Sequence, residues 1–187
     1  LPTPPLRNIV FAPPLPGPLA AAVRELELGP ALKVVSEYSR RFWEDEGQSG
    51  LVLTDQHFGV AWSASDSYSS QHGLLTQFVT GAAAHRWSQL PEHRRIEQAL
   101  RELFVVYPEG KALRAGPAVT LSWVDERYTG GGYAAYAPTQ LTRFFPALRK
   151  GTARLRFAGE HTEALAGYME SAVRSGHRVA RELGSPP

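Results

Sequence analysis

Alternating apolar and polar positions predict several short strands in the middle of the chain. The alternation runs through residues 31–38 and recurs at 59–63, 74–79 and 119–124. Apolar residues three and four positions apart instead predict helices over residues 19–26, 94–106 and 139–148. Pro91 and Glu92 form a suitable first turn for the longest of these helices.

The last part of the chain combines both patterns. Leu155, Phe157 and Ala158 predict a short buried strand that ends at Gly159. An amphipathic helix follows, and its predicted buried face consists of Met169, Ala172, Val173, Gly176, Val179, Ala180 and Leu183. A strand, a turn of small residues and a helix N-terminus can bring backbone N–H groups close to an anion or a cofactor carbonyl, although such units also occur without a ligand.

Composition and charge exclude several classes of protein. The chain has 187 residues, of which 43% are hydrophobic and 20% charged, and this favours a globular protein over a disordered one. The net charge is only +2 and the arginines are scattered among acidic residues, so we expect no binding to nucleic acid. No apolar run approaches the ~18 residues that span a membrane. We therefore expect a soluble, cytoplasmic chain, although composition alone leaves the compartment undecided.

The absence of cysteine excludes disulfides, thiolate metal sites and a cysteinyl link to a cofactor. The histidines show no spacing typical of metal ligands, so we expect no metal site. They lie at His57, His72, His85, His93, His161 and His177.

Three blocks of sequence resemble one enzyme family. Phe157-Ala-Gly-Glu-His-Thr162, followed by Gly167-Tyr-Met-Glu170, resembles the C-terminal flavin-binding signature of the flavin-containing amine oxidases. This family includes monoamine oxidases, polyamine oxidases and L-amino-acid oxidases. Trp123 with residues 128–138 is similar to the family segment beside the flavin ring. Residues 9–16 with 28–34 are similar to the segment in which the family's polypeptide returns to the substrate domain. The blocks occur in the family's order and span nearly the whole chain.

The resemblance implies an α+β / α/β fold class, as the C-terminal portion of a two-domain FAD-linked fold. Residues 1–118 would be the second half of the substrate-binding domain, with a mixed sheet and helices. Residues 119–187 would be the C-terminal segment of the FAD-binding domain. The sequence contains no G-x-G-x-x-G after a predicted strand. Gly130-Gly-Gly132 does not supply this fingerprint, because an aromatic segment and not a helix follows it. We therefore expect a C-terminal fragment or processed subunit, whose partner is the N-terminal part that carries this fingerprint.

Tyr133 and Tyr168 match two family positions that stand face to face before the flavin as an aromatic cage. Two such rings would hold an amine in a narrow slot and align its C–H bond. The resemblance thus makes both tyrosines candidate catalytic residues. The alternative is that each is an ordinary half-buried tyrosine whose hydroxyl has a partner.

The resemblance also implies positions that bind the cofactor. Gly132 stands where monoamine oxidases have a flavin-linked cysteine, so FAD would be bound non-covalently. Trp123 would line the flavin pocket or lie in the core.

Gly159 and Glu160 would belong to a turn that approaches the cofactor, and Gly167 to the same signature. Met169 would present its N–H to a flavin carbonyl at the start of the last helix. The Glu160 side chain could equally be a surface carboxylate or a hydrogen-bond partner for the chain.

One departure from the family concerns a lysine that holds a water near the flavin in many members. The corresponding stretch here contains Arg7 and Asn8, and no lysine precedes Lys33. This puts reoxidation of the flavin by oxygen in doubt and favours a dehydrogenase slightly.

The resemblance implies an FAD-dependent oxidase that converts a primary or secondary amine or an L-amino acid to an imine, with hydrogen peroxide formed from oxygen. The alternatives are a related flavoprotein desaturase or dehydrogenase, and a truncated, non-enzymatic module without cofactor. The choice between amine and amino acid stays open, because a carboxylate-binding arginine would lie outside this chain. A homodimer is one possible assembly.

Overall fold

A computed structural model describes residues 1–184, which divide into two compact units. We call Pro30–Val124 the continuous unit, and Leu1–Gly29 together with the residues from Asp125 onward the discontinuous unit. In chain order the helices and strands are α1 Thr3–Leu6, α2 Gly17–Glu25, β1 Glu27–Gly29, β2 Ala31–Tyr38, β3 Val52–Leu53, β4 Val60–Ser63, β5 Gly73–Thr80, α3 Gly81–Ser88, α4 Glu92–Val106, β6 Val119–Ser122, β7 Tyr133–Ala135, α5 Gln140–Lys150 and α6 Met169–Gly184. Short 3-10 turns lie at Phe42–Glu46, Pro108–Lys111 and Glu160–Thr162.

The continuous unit is built on a five-stranded sheet of order β3-β4-β5-β2-β6. Strand β2 pairs with β5 from Ala31↔Thr80 to Tyr38↔Gly73, and its other edge pairs with β6. Every pairing in this sheet is antiparallel, so the mixed sheet that we expected is wrong in strand direction. Antiparallel neighbours can be joined by short connections, whereas parallel strands need long crossovers.

The alternation in β2 explains how this unit forms its core. Leu32, Val34 and Tyr38 are fully buried on one face of the sheet. Helices α3 and α4 supply the apolar residues that pack in the same cluster, among them Trp87 and Leu103. Separate helices and an antiparallel sheet make this an α+β unit.

The discontinuous unit has a helical core and a small sheet. Helices α2 and α5 pack together around a cluster that contains Leu6, Leu19, Ala22, Val23, Leu26, Phe144, Leu148 and Phe157. Strands β1 and β7 form a two-stranded antiparallel sheet in which Gly29 is the register partner of Tyr133. The Thr3 hydroxyl and the Arg7 guanidinium donate to the carbonyl of Leu26, which lies between α2 and β1, and so link the N-terminal segment to this connection.

The boundary between the compact units differs from the domain boundary expected after residue 118. Strand β6 belongs to the sheet of the continuous unit, and residues 1–29 belong with the C-terminal part of the chain. Strand pairing decides the first placement, because β6 is hydrogen-bonded to β2. The assignment of the units to substrate-binding and FAD-binding domains stays a prediction.

Two expectations for the C-terminal part were wrong. Residues 155–158 form no strand, and they pair with no strand among the described residues. Helix α6 is amphipathic as predicted, but its apolar face is exposed: Met169 is 88% and Leu183 71% exposed. The residues it buries are Ser171 and Ser175, whose small side chains allow the helix to approach its neighbours closely.

Candidate functional site

Tyr133 is adjacent to two glycines of the discontinuous unit. A Cβ atom on Gly29 would come within 3.0 Å of Tyr133 Cε2, which is too close for a side chain without a shift. A Cβ atom on Gly167 would lie 3.8 Å from Tyr133 Cβ, at ordinary contact distance. The half-buried Tyr133 is therefore adjacent to the residue that precedes Tyr168.

Tyr168 lies directly before the first residue of α6 and is 64% exposed. The preceding Gly167 has φ +89°, a backbone conformation that residues with a side chain rarely adopt. Glycine is thus favoured here by the backbone conformation of the turn, and not by crowding from Tyr133.

The Glu160 carboxylate joins the two tyrosine-bearing segments. Its Oε1 accepts a hydrogen bond from the Ala134 N–H at 2.9 Å, and its Oε2 accepts one from the Gly167 N–H at 2.5 Å. Of the roles that the sequence left open for this side chain, the structure shows a hydrogen-bond partner for the chain. A contact with the cofactor stays a prediction.

The turn at Gly159 is held by side chains of its own unit. The Gly159 N–H donates to Ser175 Oγ at 2.8 Å, and its carbonyl accepts from Thr162 Oγ1 at 2.9 Å. A Cβ atom at Gly159 would come within 2.5 Å of the His161 ring, and the φ of +146° also disfavours a side chain. Glycine is needed here because the imidazole packs against the backbone.

His161 is a site residue that sequence reasoning did not select. Its side chain is buried, and its Nε2 has no hydrogen-bond partner among the described residues. Burial lowers the pKa of the imidazole, although the Glu160 carboxylate acts to raise it. The Tyr136 hydroxyl donates to the His161 carbonyl at 2.5 Å, and burial, with a smaller effect of Glu160, raises the pKa of Tyr136 to about 12. The signal in the sequence was only the motif position of His161.

The remaining predicted positions fall in both units. Gly132 is exposed and its N–H donates to the Gly29 carbonyl at 2.9 Å. Trp123 is half-buried in the continuous unit, where its N–H donates to the Ala31 carbonyl. The structure thus brings Gly132, Tyr133, Gly159, Glu160, Gly167, Tyr168 and Met169 into one compact unit and places Trp123 in the other.

The sequence model of one family, described as flavin containing amine oxidoreductase, matches residues 1–184. The chain belongs to this family. The match extends over both units, and so includes the segments that carry Tyr133, Glu160 and Tyr168.

Two relatives are 28% and 29% identical to this chain over the aligned residues. An L-amino acid dehydrogenase of Synechocystis sp. is 28% identical over 178 residues, which cover 94% of this chain and 38% of that protein. Flavin-containing amine oxidase B of Homo sapiens is 29% identical over 180 residues, covering 94% of this chain and 35% of that protein. The chain therefore spans well under half the length of these relatives.

A solved structure agrees with this membership. Cyclohexylamine oxidase from Brevibacterium oxydans superposes with a TM-score of 0.83 at 26% identity, covering 97% of this chain and 42% of that one. The fold is therefore that of part of a flavin-dependent amine oxidase.

The N-terminus of α6 offers backbone donors of the kind that a flavin carbonyl would accept, and their contact with FAD stays a prediction. Helix α6 has 16 residues and begins at Met169, and the N–H groups of a first helical turn have no acceptor within the helix. A Cβ atom at Gly131 would overlap Leu28, so the segment before Tyr133 packs closely against the chain at Leu28. Within residues 1–184 no helix combines the length and the apolar character needed to cross a membrane.

Proposed function

We propose that this chain is the C-terminal part of an FAD-dependent oxidase that converts an amine or an L-amino acid to an imine. FAD would accept a hydride from the carbon that bears the neutral amine, and would pass the electrons to oxygen to give hydrogen peroxide. One observation carries the proposal: Tyr133 and Tyr168 lie on segments that Glu160 joins, and Tyr168 directly precedes the N-terminus of α6. The family membership supplies the flavin chemistry.

In this proposal Tyr133 and Tyr168 bind and orient the substrate. The exposed Tyr168 ring and the half-buried Tyr133 ring offer aromatic faces that attract a nitrogen centre. Holding the substrate in a reactive orientation lowers the entropic part of the barrier. Neither tyrosine needs to transfer a proton in this role.

We further propose that FAD is bound non-covalently. The chain has no cysteine, and Gly132 stands at the family position of the flavin-linked residue. The Met169 N–H would donate to a flavin carbonyl, where a helix N-terminus favours negative charge.

The same proposal requires a partner that supplies the dinucleotide fingerprint, either as a longer polypeptide or as a second chain. The chain spans only 35–38% of the relatives above, and the apolar face of α6 is exposed. We expect Val173→Asp and Leu183→Asp to lower the flavin content of the complete enzyme, because a charge on this face would oppose its burial. Val105→Asp, at an exposed position of α4, is the matched control. Unchanged flavin content in all three variants would contradict the proposal that the apolar face of α6 is buried against the partner.

The proposed reaction is tested by mixing the complete enzyme anaerobically with a panel of amines and L-amino acids. Bleaching of the oxidised flavin absorbance by a member of either panel supports the function and identifies the substrate class. Tyr168→Ala and Tyr133→Ala should lower kcat/KM about tenfold or more, whereas Tyr168→Phe should retain most activity. Tyr68→Ala, which removes an exposed tyrosine of the continuous unit, should have no effect.

Two outcomes would favour other functions. Full activity on an apolar substrate in both alanine variants would favour a desaturase, whose activity does not depend on paired tyrosines. Failure of every preparation to bind flavin would favour a non-enzymatic module.

A dehydrogenase is the second candidate function. No lysine precedes Lys33, and one relative is named a dehydrogenase. Reduced enzyme that reacts slowly with oxygen but rapidly with a quinone acceptor would favour this candidate over an oxidase.

A further inference from the structure

We propose that Glu160 is a positioning residue whose carboxylate sets the spacing between the segments that carry Tyr133 and Tyr168. The inference rests on the proposed function, because that function gives both tyrosines their role. Glu160 itself would act through the backbone and not by contact with substrate.

The contacts of Glu160 are divided between the two segments. One carboxylate oxygen accepts from Ala134, the residue after Tyr133, and the other accepts from Gly167, the residue before Tyr168. Both bonds are charge-assisted, and such bonds are shorter and stronger than those between neutral groups. Each tyrosine is therefore one residue away from an anchor on the same side chain.

Neither segment is fixed by extensive regular structure. Strand β7 has three residues and is paired with the equally short β1. Gly167 carries no side chain and lies in a turn with positive φ. The carboxylate thus supplies a link that hydrogen bonds within a larger sheet would otherwise supply.

The side chain at this position must accept two hydrogen bonds at once. Glutamine has one acceptor oxygen, and its NH₂ group would face a backbone N–H donor. Aspartate keeps both oxygens and the charge but is one methylene shorter. Glu160→Gln should therefore release one segment, and Glu160→Asp should have a smaller effect of the same kind.

The matched control is Glu163→Gln, three residues further along. Glu163 is a second carboxylate of this unit, but its partners are the side chains of Arg149 and Arg178. Loss of its charge should perturb the same unit without changing the anchors of the tyrosine segments.

The test uses the complete flavin-loaded enzyme and two readouts. Hydrogen exchange followed by mass spectrometry should become several-fold faster at residues 133–135 and 166–168 in Glu160→Gln but not in Glu163→Gln. With the substrate identified for the wild type, Glu160→Gln should lower kcat about tenfold at unchanged flavin content, while Glu163→Gln should leave kcat within twofold.

Failure of the inference and failure of the proposed function give different results. Unchanged exchange at both segments in Glu160→Gln and Glu160→Asp, or the same acceleration in Glu163→Gln, would overturn the positioning role. A wild type that oxidises no amine or amino acid would overturn the proposed function, whatever the exchange data show. Faster exchange with an unchanged kcat would also overturn the positioning role.

Discussion

Different interactions stabilise the interior of each of the two units. In the continuous unit, β2 and β5 have eight residues each and pair along their whole length, and helices supply the opposite side of the core. In the discontinuous unit, the sheet consists of two three-residue strands, and the core lies between short helices. Backbone pairing therefore organises the first unit much more than the second.

Side-chain bonds to the backbone take over this role in the discontinuous unit. Glu160 binds two N–H groups, Ser175 accepts from Gly159, and Arg178 donates to the Phe157 carbonyl. The same unit also leaves the apolar face of α6 exposed. The candidate site therefore lies in the unit whose order depends on a few polar side chains.

The largest effect is expected from the core of the continuous unit. Leu103 is fully buried against the sheet, so Leu103→Ala should lower the free energy of unfolding by about 2–5 kcal/mol. Chemical denaturation of the complete enzyme, followed by a probe in this unit, measures the loss. Val105→Ala, at an exposed position of the same helix, should change stability by less than about 0.5 kcal/mol. Equal effects of the two substitutions would contradict the described packing.

An intermediate effect is expected in the discontinuous unit from a single hydroxyl. Ser175 is fully buried, and its Oγ accepts from the Gly159 N–H and donates to the Ala172 carbonyl. Ser175→Ala should lower the free energy of unfolding by about 1–3 kcal/mol, because it removes the acceptor of the Gly159 N–H. Faster hydrogen exchange at residue 159 would accompany the loss. Wild-type exchange and stability in this variant would show that the turn does not depend on the hydroxyl.

A smaller and pH-dependent effect is expected at Glu163. Burial acts to raise the pKa of this carboxyl, but hydrogen bonds from Arg178 and Arg149 outweigh it and hold the pKa below its ordinary value. Because the folded-state pKa lies below that of the unfolded chain (~4.3), the contribution to stability is present above about pH 4.3 and is lost as the pH falls through the folded value.

Glu163→Gln should therefore lower the free energy of unfolding by about 1 kcal/mol at pH 7. The difference from the wild type should shrink towards pH 3. Thermal unfolding across this pH range measures it, and a difference that does not depend on pH would contradict the assignment.

The smallest effect is expected at an exposed ion pair of α4. A hydrogen bond and the charge of Arg94 lower the pKa of Glu97, but this carboxylate is exposed and solvent screens the interaction. Glu97→Gln should leave the melting temperature unchanged within error at any salt concentration. A clear fall in the melting temperature would show that this exposed ion pair contributes to the stability of the continuous unit, contrary to the account.

The continuous unit was the easier to predict from sequence. The alternation over residues 31–38 matches β2 residue for residue, and the predicted helix over 94–106 lies within α4. Both elements bury one regular face, which is the property that periodicity reports. Helix α3 was missed, because its alanine-rich start gives little contrast between faces.

The C-terminal part of the discontinuous unit was harder to predict, because its apolar residues do not form a regular buried face. Residues 155–158 carry apolar side chains typical of a strand but pair with no strand within residues 1–184, and most apolar residues of α6 face solvent. Periodicity indicates which face is apolar, not whether a partner is present. The tyrosine positions came from the family resemblance, whereas the two bonds of Glu160 depend on long-range contacts that no local pattern encodes.

The most direct test of the account is an absorbance spectrum of the natively purified enzyme, with intact-mass analysis of each polypeptide in it. We predict oxidised flavin bands that are released on denaturation, together with a polypeptide that carries the G-x-G-x-x-G fingerprint. Colourless protein from a preparation that does contain the fingerprint would contradict the claim that this chain completes a flavin site.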